Sequence, residues 1–518
     1  MFVCVSRIPW ASSGKIDRRK LRNLSVKIDW TKAPNEYRPP RRPLNATEHT
    51  IQRICAEVLD TTAEDINLDM GFFGMGGDSI RVMQLVSCAR RSGLPITVRQ
   101  DDVAEVLPAT EVQAFSATRP QNYWFLELTG ALDYDRLKLA CSDLVQRHAI
   151  LRTVLVPDAK HILQVVLHRL PPSIVECETD NSDLFAYART LSQIDSASQV
   201  LYGMPPLAFT LIRHHRYHHM MILRLSHARY DGLSIPILMA DLLTLYEQRP
   251  IEDAVTFAAY TRYCTRSHTD EAYGFWRDLL HGASMTSPSG TDISKLVMRS
   301  DTHLVEVEAR APLPSPPPDI TMATIIKAAW SMVQARLLRN TSDLVFGQLV
   351  SGRNNLSEAG LENVVGPCLN RVPVRVQLPQ IGDDKDDEPV SALLRCLQDQ
   401  HAASLAFETV PLHSIVARCT SWSDGETDFG SIVHHRQVQE QPILQSGSLE
   451  YRVDAWSPVS LPEMNIWVTS LINETKEHLK QNIYTRSKVA TAAWLNLLIG
   501  KLYIILRAFY KKGFIVTV

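Results

Sequence analysis

Apolar residues recur at helical spacing early in the chain. Ile51, Ile54, Cys55, Val58 and Leu59 stand at i, i+3, i+4, i+7 and i+8. Asn45 with Glu48 three residues later has the form of a capping box at the start of that helix. A second helix is expected from about Ser79, with Ile80 and Met83, or Val82, Leu85, Val86 and Ala89, as its apolar neighbours. Together they predict a small helical unit over residues 45 to 91. From about residue 106 the pattern becomes mixed. Leu137, Ala140, Cys141, Leu144 and Val145 mark a helix, and "RTVLV" after it has the composition of a strand. In "HMMILRLSHARYDG", Met221, Leu223 and Leu225 alternate with Met220, Ile222 and Arg224, as in a strand half buried in a sheet. "LSIPILMADLLTLYEQ" is helical in pattern, as are the stretches carrying Ala272, Phe275, Trp276 and Leu279, and Ile326, Ala329, Trp330, Val333 and Leu337. "PLPSPPPD" between the last two must be a loop. Strands and helices interleave in this way over some 400 residues, which predicts a two-lobed α/β region after the helical unit.

Composition narrows the class. A chain of 518 residues, 45% hydrophobic and 21% charged, with Lys+Arg 54 against Asp+Glu 56, is an ordinary globular composition long enough for about three domains. That balance gives no reason to expect a nucleic-acid partner. Nine scattered cysteines, never spaced as C-x-x-C, argue for a reducing compartment and against a zinc site. The first twenty residues lack the apolar core of a signal peptide, so a cytoplasmic location is expected. "AAWLNLLIGKLYIILRAFYKKGFIVTV" is apolar but interrupted by Lys501 and Arg507, which suits a buried amphipathic helix rather than a membrane span. Residues 29–43, "DWTKAPNEYRPPRRP", carry four prolines among charges and suit an extended linker.

Two places carry candidate chemistry. In "GFFGMGGDSIRVMQLVSCARR", Ser79 follows a glycine-rich turn and opens a helix. It is either a nucleophile near the backbone N–H groups of the helix start or, as Asp78 beside it also could be, a plain helix cap. In "SHARYDG", His227 stands at a strand end, poised to move a proton near neutral pH. Asp231 lies four residues on, across a reversal permitted by Gly232, and is placed to hold the loop by pairing with an arginine. A satisfied core histidine is the competing reading of His227. "RHHRYHH" has no carboxylate or cysteine within it and too much positive charge for a cation, so a solvated hairpin turn is expected there and no metal. "GMGGDS" lacks the Lys-Ser/Thr of a P-loop and follows no strand.

These segments resemble one family in their order. "IPWASSGKIDRRKLR" is similar to the closing motif of a nonribosomal peptide synthetase adenylation domain. "FFGMGGDSI" resembles the phosphopantetheine attachment site of a peptidyl carrier domain, "SHARYDG" the H-H-x-x-x-D-G motif of a condensation domain, and "RHAILRT" that domain's second motif. "DLVFGQLVSGRN", "GPCLNRVPVRV" and "FGSIVHHR" resemble fungal condensation domains, especially the terminal ones that release peptides by cyclisation. In that class the first histidine of the motif is commonly serine, as Ser226 is here. The resemblance implies an adenylation tail over residues 1–28, the linker over 29–43, a carrier domain over 44–104, and a condensation domain over 105–510. The last would be chloramphenicol-acetyltransferase-like, with one lobe over about 105–285 and the other over about 286–510. It further implies 4'-phosphopantetheine on Ser79 with Asp78 as its usual neighbour, and a phosphopantetheinyl transferase as partner. His227 would act on a peptidyl thioester in a tunnel between the lobes. Ser226 would pack beneath the loop, Asp231 would be structural, and Arg152 would be its partner.

The sequence departs from the family pattern in two ways. Only the tail of an adenylation domain is matched, so Lys15, which aligns with that domain's catalytic lysine, is expected to be vestigial and upstream modules would have to act in trans. The carrier is short after "SGLPITVRQ", as if its last helix were missing, which would expose side chains such as Ile51 and Leu85. Three functions follow: a carrier and terminal condensation pair that forms an amide bond or releases a peptide by cyclisation; a noncatalytic remnant or docking module; and a stand-alone CoA-dependent acyltransferase, against which the carrier serine argues.

Overall fold

The computed structural model describes residues 46–66, 72, 75, 81, 84–86, 88–89, 92, 103–158, 161–197, 207–215, 217–286, 304–313, 316–338, 341–353, 360–378, 388–422, 429–438, 444–446, 449–457, 466–473, 478–486 and 492–512. Lys15, the proline-rich linker, Asn45, Asp78, Ser79 and the end of the carrier region lie outside them. The chain divides into two compact units, Met1–Ile96 and Thr97–Val518.

In the first unit the helix Ala46–Leu59 carries Glu48 in its first turn, where a carboxylate meets the positive end of the helix dipole. Ile54 and Val58 pack with Cys88 and Ala89, while Cys55 and Ala56 pack with Ile66. Ile51 and Leu85, expected to be exposed, are instead partly buried against the second of these clusters. The described part of the helical unit therefore covers these two side chains in part.

The second unit contains three sheets. β1 (Val103–Pro108), β4 (His161–Leu167) and β3 (Thr153–Asp158) form a small antiparallel one. The first lobe is built on a six-stranded sheet in the order β12 (Leu444–Ser446), β13 (Leu449–Trp456), β2 (Asn122–Thr129), β7 (His218–Leu225), β6 (Leu207–His215), β5 (Ser173–Glu178). The second is built on β10 (Leu369–Gln377), β9 (Asp343–Ser351), β11 (Ile432–Val438), β14 (Ile466–Asn473), β15 (His478–Arg486), β8 (Leu304–Pro312). β13 comes from the span expected to belong wholly to the second lobe, yet it pairs along its length with β2 of the first. The lobes are thus sewn together by a returning segment, which a division of the chain near residue 285 does not capture.

Each lobe buries an apolar stripe of its helices against its sheet. In helix Tyr134–Arg147 the side chains facing inward are Leu137, Ala140, Cys141, Leu144 and Val145, the set that the helical spacing picks out. Asp133 caps this helix, accepting from the backbone N–H groups of Asp135 and Arg136 at 3.0 and 3.1 Å. In the second lobe, Ile326, Ala329, Trp330 and Val333 of helix Met322–Leu337 meet Val433, Val468, Ile483 and Val307. Those four strand residues form one register row across β11, β14, β15 and β8. The helix Ala492–Lys512 closes the same core with Leu495, Leu498, Leu502 and Leu506. No helix among the described residues is long and apolar enough to cross a membrane.

The histidine-rich "RHHRYHH" forms the turn between β6 and β7, as expected, but it is not simply solvated. His219 is buried, with Nδ1 2.9 Å from the Tyr134 hydroxyl, and His218 Nε2 lies 2.8 Å from Glu127 Oε1. Among the described residues no group of three or more His, Cys, Asp or Glu side chains is arranged to hold a metal ion.

Candidate functional site

β7 ends at Leu225, and the chain then turns through Ser226–Gly232 into helix Ser234–Tyr246. Ser226 is buried, its Oγ accepting from the Ala228 N–H at 3.3 Å, and the Arg229 N–H donates to the Ser226 carbonyl at 2.9 Å. The Arg229 guanidinium is buried as well and donates twice to the Thr153 carbonyl, at 3.2 and 3.1 Å. Burial lowers its pKa to about 10. The turn is therefore tied to the start of β3 beneath it.

His227 faces the other way and is only half-buried. Its ring stacks on Tyr230, centroids 4.8 Å apart and planes within 14°. Nδ1 lies 2.9 Å from the Tyr230 carbonyl oxygen. A carbonyl only accepts, so Nδ1 carries the hydrogen and donates it, and Nε2 is the nitrogen with the lone pair. Tyr230 is held in turn by edge contact with Trp124, centroids 5.8 Å apart, and by a bond from the Asn122 amide to its hydroxyl. Burial raises the pKa of that hydroxyl to about 12, so it stays neutral. The result is one fixed imidazole tautomer on a rigid loop, with a basic nitrogen that has no protein partner among the described residues.

Asp231 anchors the loop to the opposite lobe. Its carboxylate, fully buried, accepts from the Arg353 guanidinium, from the Cys368 N–H at 3.1 Å, and from the N–H and hydroxyl of Ser234 at 3.1 and 2.9 Å. The Asp231 N–H donates back to Ser234 Oγ at 3.2 Å, so the two residues bond each other reciprocally where the loop enters the helix. Ser234 Oγ also accepts from the Gly366 N–H at 3.1 Å. Arg353 donates to the carbonyls of Val364 and Gly366, at 2.7 and 3.2 Å. Charge, backbone and hydroxyl groups of both lobes therefore converge on one carboxylate.

This geometry corrects two expectations. Arg152 is not the partner of Asp231: its guanidinium donates to the carbonyls of Leu167 and Gln146, at 2.7 Å each, and of Val145 at 3.4 Å. It ties the end of helix Tyr134–Arg147 to the end of β4, and the ion pair belongs to Arg353. Gly232 does not permit the reversal by its own freedom, because its backbone is not in the left-handed region and a Cβ there would touch nothing. The glycines that the site does require are Gly352, where a Cβ would fall 2.6 Å from the Cys368 carbonyl oxygen, and Gly366, where it would run into the Phe257 ring. Ser234 and Arg353 escaped the sequence reading. Asp-x-x-Ser at a helix start was a signal for the first; Arg353 lies in "SGRN", 122 residues from its partner.

Comparison with known proteins places this arrangement in a class. The condensation-domain family matches residues 121–457 and the phosphopantetheine attachment site family residues 49–101. The chain belongs to the condensation-domain family and carries the carrier and condensation domains of a fungal nonribosomal peptide synthetase. It is 29% identical to malformin synthetase mlfA of Aspergillus sclerotiicarbonarius over 94% of this chain and 10% of that protein. It is 33% identical to nonribosomal peptide synthetase lenA of Aspergillus lentulus over 84% of this chain and 10% of that protein. The crystal structure of holo T3CT superposes with a TM-score of 0.73 at 27% identity, covering 85% of this chain and 97% of that one. The condensation domain of the monacolin K polyketide synthase MokA shares the fold at 17% identity, with a TM-score of 0.60. The chain spans between 10% and 45% of the length of the curated synthetases it matches. A carrier domain of this kind bears 4'-phosphopantetheine, is modified by a phosphopantetheinyl transferase and presents peptidyl thioesters.

Proposed function

We propose that this chain accepts an acyl or peptidyl group on Ser79 through 4'-phosphopantetheine. In this reading it joins that group to an amine, releasing a cyclic peptide when the amine belongs to the same chain. The observation that carries the reading is the His227 tautomer: Nδ1–H is committed to the Tyr230 carbonyl at 2.9 Å, so the lone pair on Nε2 is left for substrate.

4'-Phosphopantetheine supplies a thiol on which an acyl group is held as a thioester. The residues of the condensation domain do the rest. His227 Nε2 accepts a hydrogen bond from the attacking amine and orients its lone pair toward the carbonyl carbon. As the C–N bond forms and the C–S bond breaks, Nε2 takes the proton from nitrogen and returns it to the departing sulfur. No ATP is consumed in this step because the thioester already stores the energy of activation. Asp231 and Arg353 act through position: by bolting the loop to the second lobe they fix where the imidazole stands. Ser226, buried and bonded within the turn, supports the loop from beneath. Lys15 takes no part in this step, and the peptide would be supplied by upstream synthetase modules.

The test is to incubate the full chain with a peptidyl-CoA and a phosphopantetheinyl transferase, then follow intact mass and released product without ATP. A mass gain of one peptidyl-phosphopantetheine, followed by a cyclic product, supports the proposal. No mass gain on wild type, or a loaded chain that holds its peptide indefinitely, returns the chain to the noncatalytic reading.

A further inference from the structure

Asn122 opens β2 and stands in register with Leu225, the last residue of β7, so it lies beside the point where the His227 loop leaves the sheet. Alternation along β2 divides its side chains between two faces. Tyr123 and Phe125 pack with Leu184 and Ala188 of helix Leu184–Ser196, which leaves Asn122 and Trp124 on the other face. Tyr230 returns over that face. Its ring is buried and meets Trp124 edge-on, with centroids 5.8 Å apart and planes at 86°, while its hydroxyl accepts from Asn122 Nδ2. His227 then lies on Tyr230, ring on ring.

The site is thus layered: a sheet face, then Tyr230, then the imidazole. Two constraints on His227 come from that one tyrosine. Its ring, 4.8 Å away and 14° from parallel, sets the plane of the imidazole, and its carbonyl, 2.9 Å from Nδ1, sets which nitrogen holds the hydrogen. The two act together only while the phenol stays over β2. What fixes the phenol at its far end is the Asn122 amide, from a strand 108 residues earlier in the chain.

We infer that Asn122 is a positioning residue for His227, acting through Tyr230: by holding the phenol it keeps the imidazole in the plane and tautomer that leave the Nε2 lone pair for substrate. Its consequence for transfer rests on the thioester reading above, whereas its consequence for the imidazole does not. An imidazole without a fixed partner exchanges its hydrogen between the two nitrogens, and the form with hydrogen on Nε2 has no lone pair there to accept from an amine. Loss of the Asn122 bond therefore lowers the fraction of chain competent for proton transfer while leaving His227 itself in place.

The test uses the full chain, isotope-labelled at the histidine ring nitrogens, as wild type, Asn122→Leu, Tyr230→Phe and the double variant, each checked for an unchanged thermal transition. Tyr230→Phe keeps the ring and loses only the hydroxyl. The His227 signals are those missing from His227→Ala, and at a pH where the ring is neutral their nitrogen shifts report which nitrogen carries the hydrogen. Wild type is expected to hold it on Nδ1, and both single variants to show a mixture of the two forms. With a soluble peptidyl-pantetheine thioester, kcat of each single variant is expected to fall about three- to tenfold with KM unchanged, the worth of one hydrogen bond. The double variant is expected to fall no further, because both changes break the same bond. Wild-type nitrogen shifts in both single variants overturn the inference whatever the rate, and so do additive losses in the double variant. If wild type does not turn over the thioester, the functional reading fails and the nitrogen shifts alone decide: a mixture in the variants upholds the positioning role, and the wild-type pattern overturns it.

Discussion

Removing one partner of the Asp231–Arg353 pair leaves a buried charge without its complement. Both side chains are almost fully buried, and the carboxylate has three further donors while the guanidinium has two carbonyls. Breaking such a pair costs about 3 to 5 kcal/mol. For a cooperative unit of the size of Thr97–Val518, the entropy of unfolding is roughly 0.9 kcal/mol per kelvin, so the expected fall in Tm is about 3 to 6 °C. Asp231→Asn and Arg353→Met should each show that loss in a calorimetric scan. The double variant should lose at least about 2 kcal/mol less than the sum, since neither charge is then left alone. Arg152→Met serves as the control: it gives up three carbonyl contacts, and its effect should simply add to that of Asp231→Asn. Coupling between Asp231 and Arg152, or additive losses at Asp231 and Arg353, would refute the assignment of the latch.

Other consequences can be measured separately. Ser79→Ala should abolish the mass gain from CoA and a phosphopantetheinyl transferase while leaving the main thermal transition unchanged, because the substitution lies in the other compact unit; a fall of several degrees would make the serine a cap instead. Gly352→Ala should destabilise by about 1 to 3 kcal/mol, read from the denaturant midpoint, because the new methyl meets the Cys368 carbonyl. The Glu111 carboxylate accepts from the His413 ring and from the backbone N–H groups of Leu412 and His413, at 3.3 and 2.8 Å for the latter two. Burial works against Glu111, but those bonds and the Arg371 charge lower its pKa, while Glu111 raises that of His413. The stability this pair contributes is therefore lost as pH falls through the depressed Glu111 value and as it rises through the elevated His413 value. The difference between wild type and Glu111→Gln should be largest near pH 5 to 6, between the ordinary carboxyl and imidazole values, and should shrink above about pH 7. A pH-independent difference would remove His413 from the contact.

Helices with a one-sided apolar stripe were legible in the sequence: the inward face of Tyr134–Arg147 was predicted residue by residue, because 3.6-residue spacing alone determines it. β7 was legible as a strand but not as the half-buried one expected: Met220, Met221, Ile222 and Leu223 are all almost fully buried, because β7 lies in the middle of its sheet between β2 and β6. Most of the second lobe's sheet was not, since β9 reads as a short apolar run and β10 as an alternation around Arg371 and Arg375, and neither pattern names a partner. The return of β13 to the first lobe was hidden because its alternating pattern fits any half-exposed edge and does not name a partner. At the site, His227 and Asp231 were legible from a local motif. Arg353 was not, because what defines it is a contact across lobes, and no local spacing encodes that. Arg152, which the family resemblance implies as the partner of Asp231, instead satisfies two carbonyls at the end of helix Tyr134–Arg147 and one at the end of β4.

The central claim is that His227 Nε2 moves the proton when a carrier-held acyl group is transferred to an amine. The direct measurement is single-turnover release from chain loaded with one peptidyl-phosphopantetheine on Ser79, comparing wild type with His227→Ala by quenched mass spectrometry. The account predicts that wild type releases a cyclic product without ATP and that His227→Ala does so about 10² to 10⁴ times more slowly, with loading and thermal transition unchanged. Release from His227→Ala at the wild-type rate would contradict it.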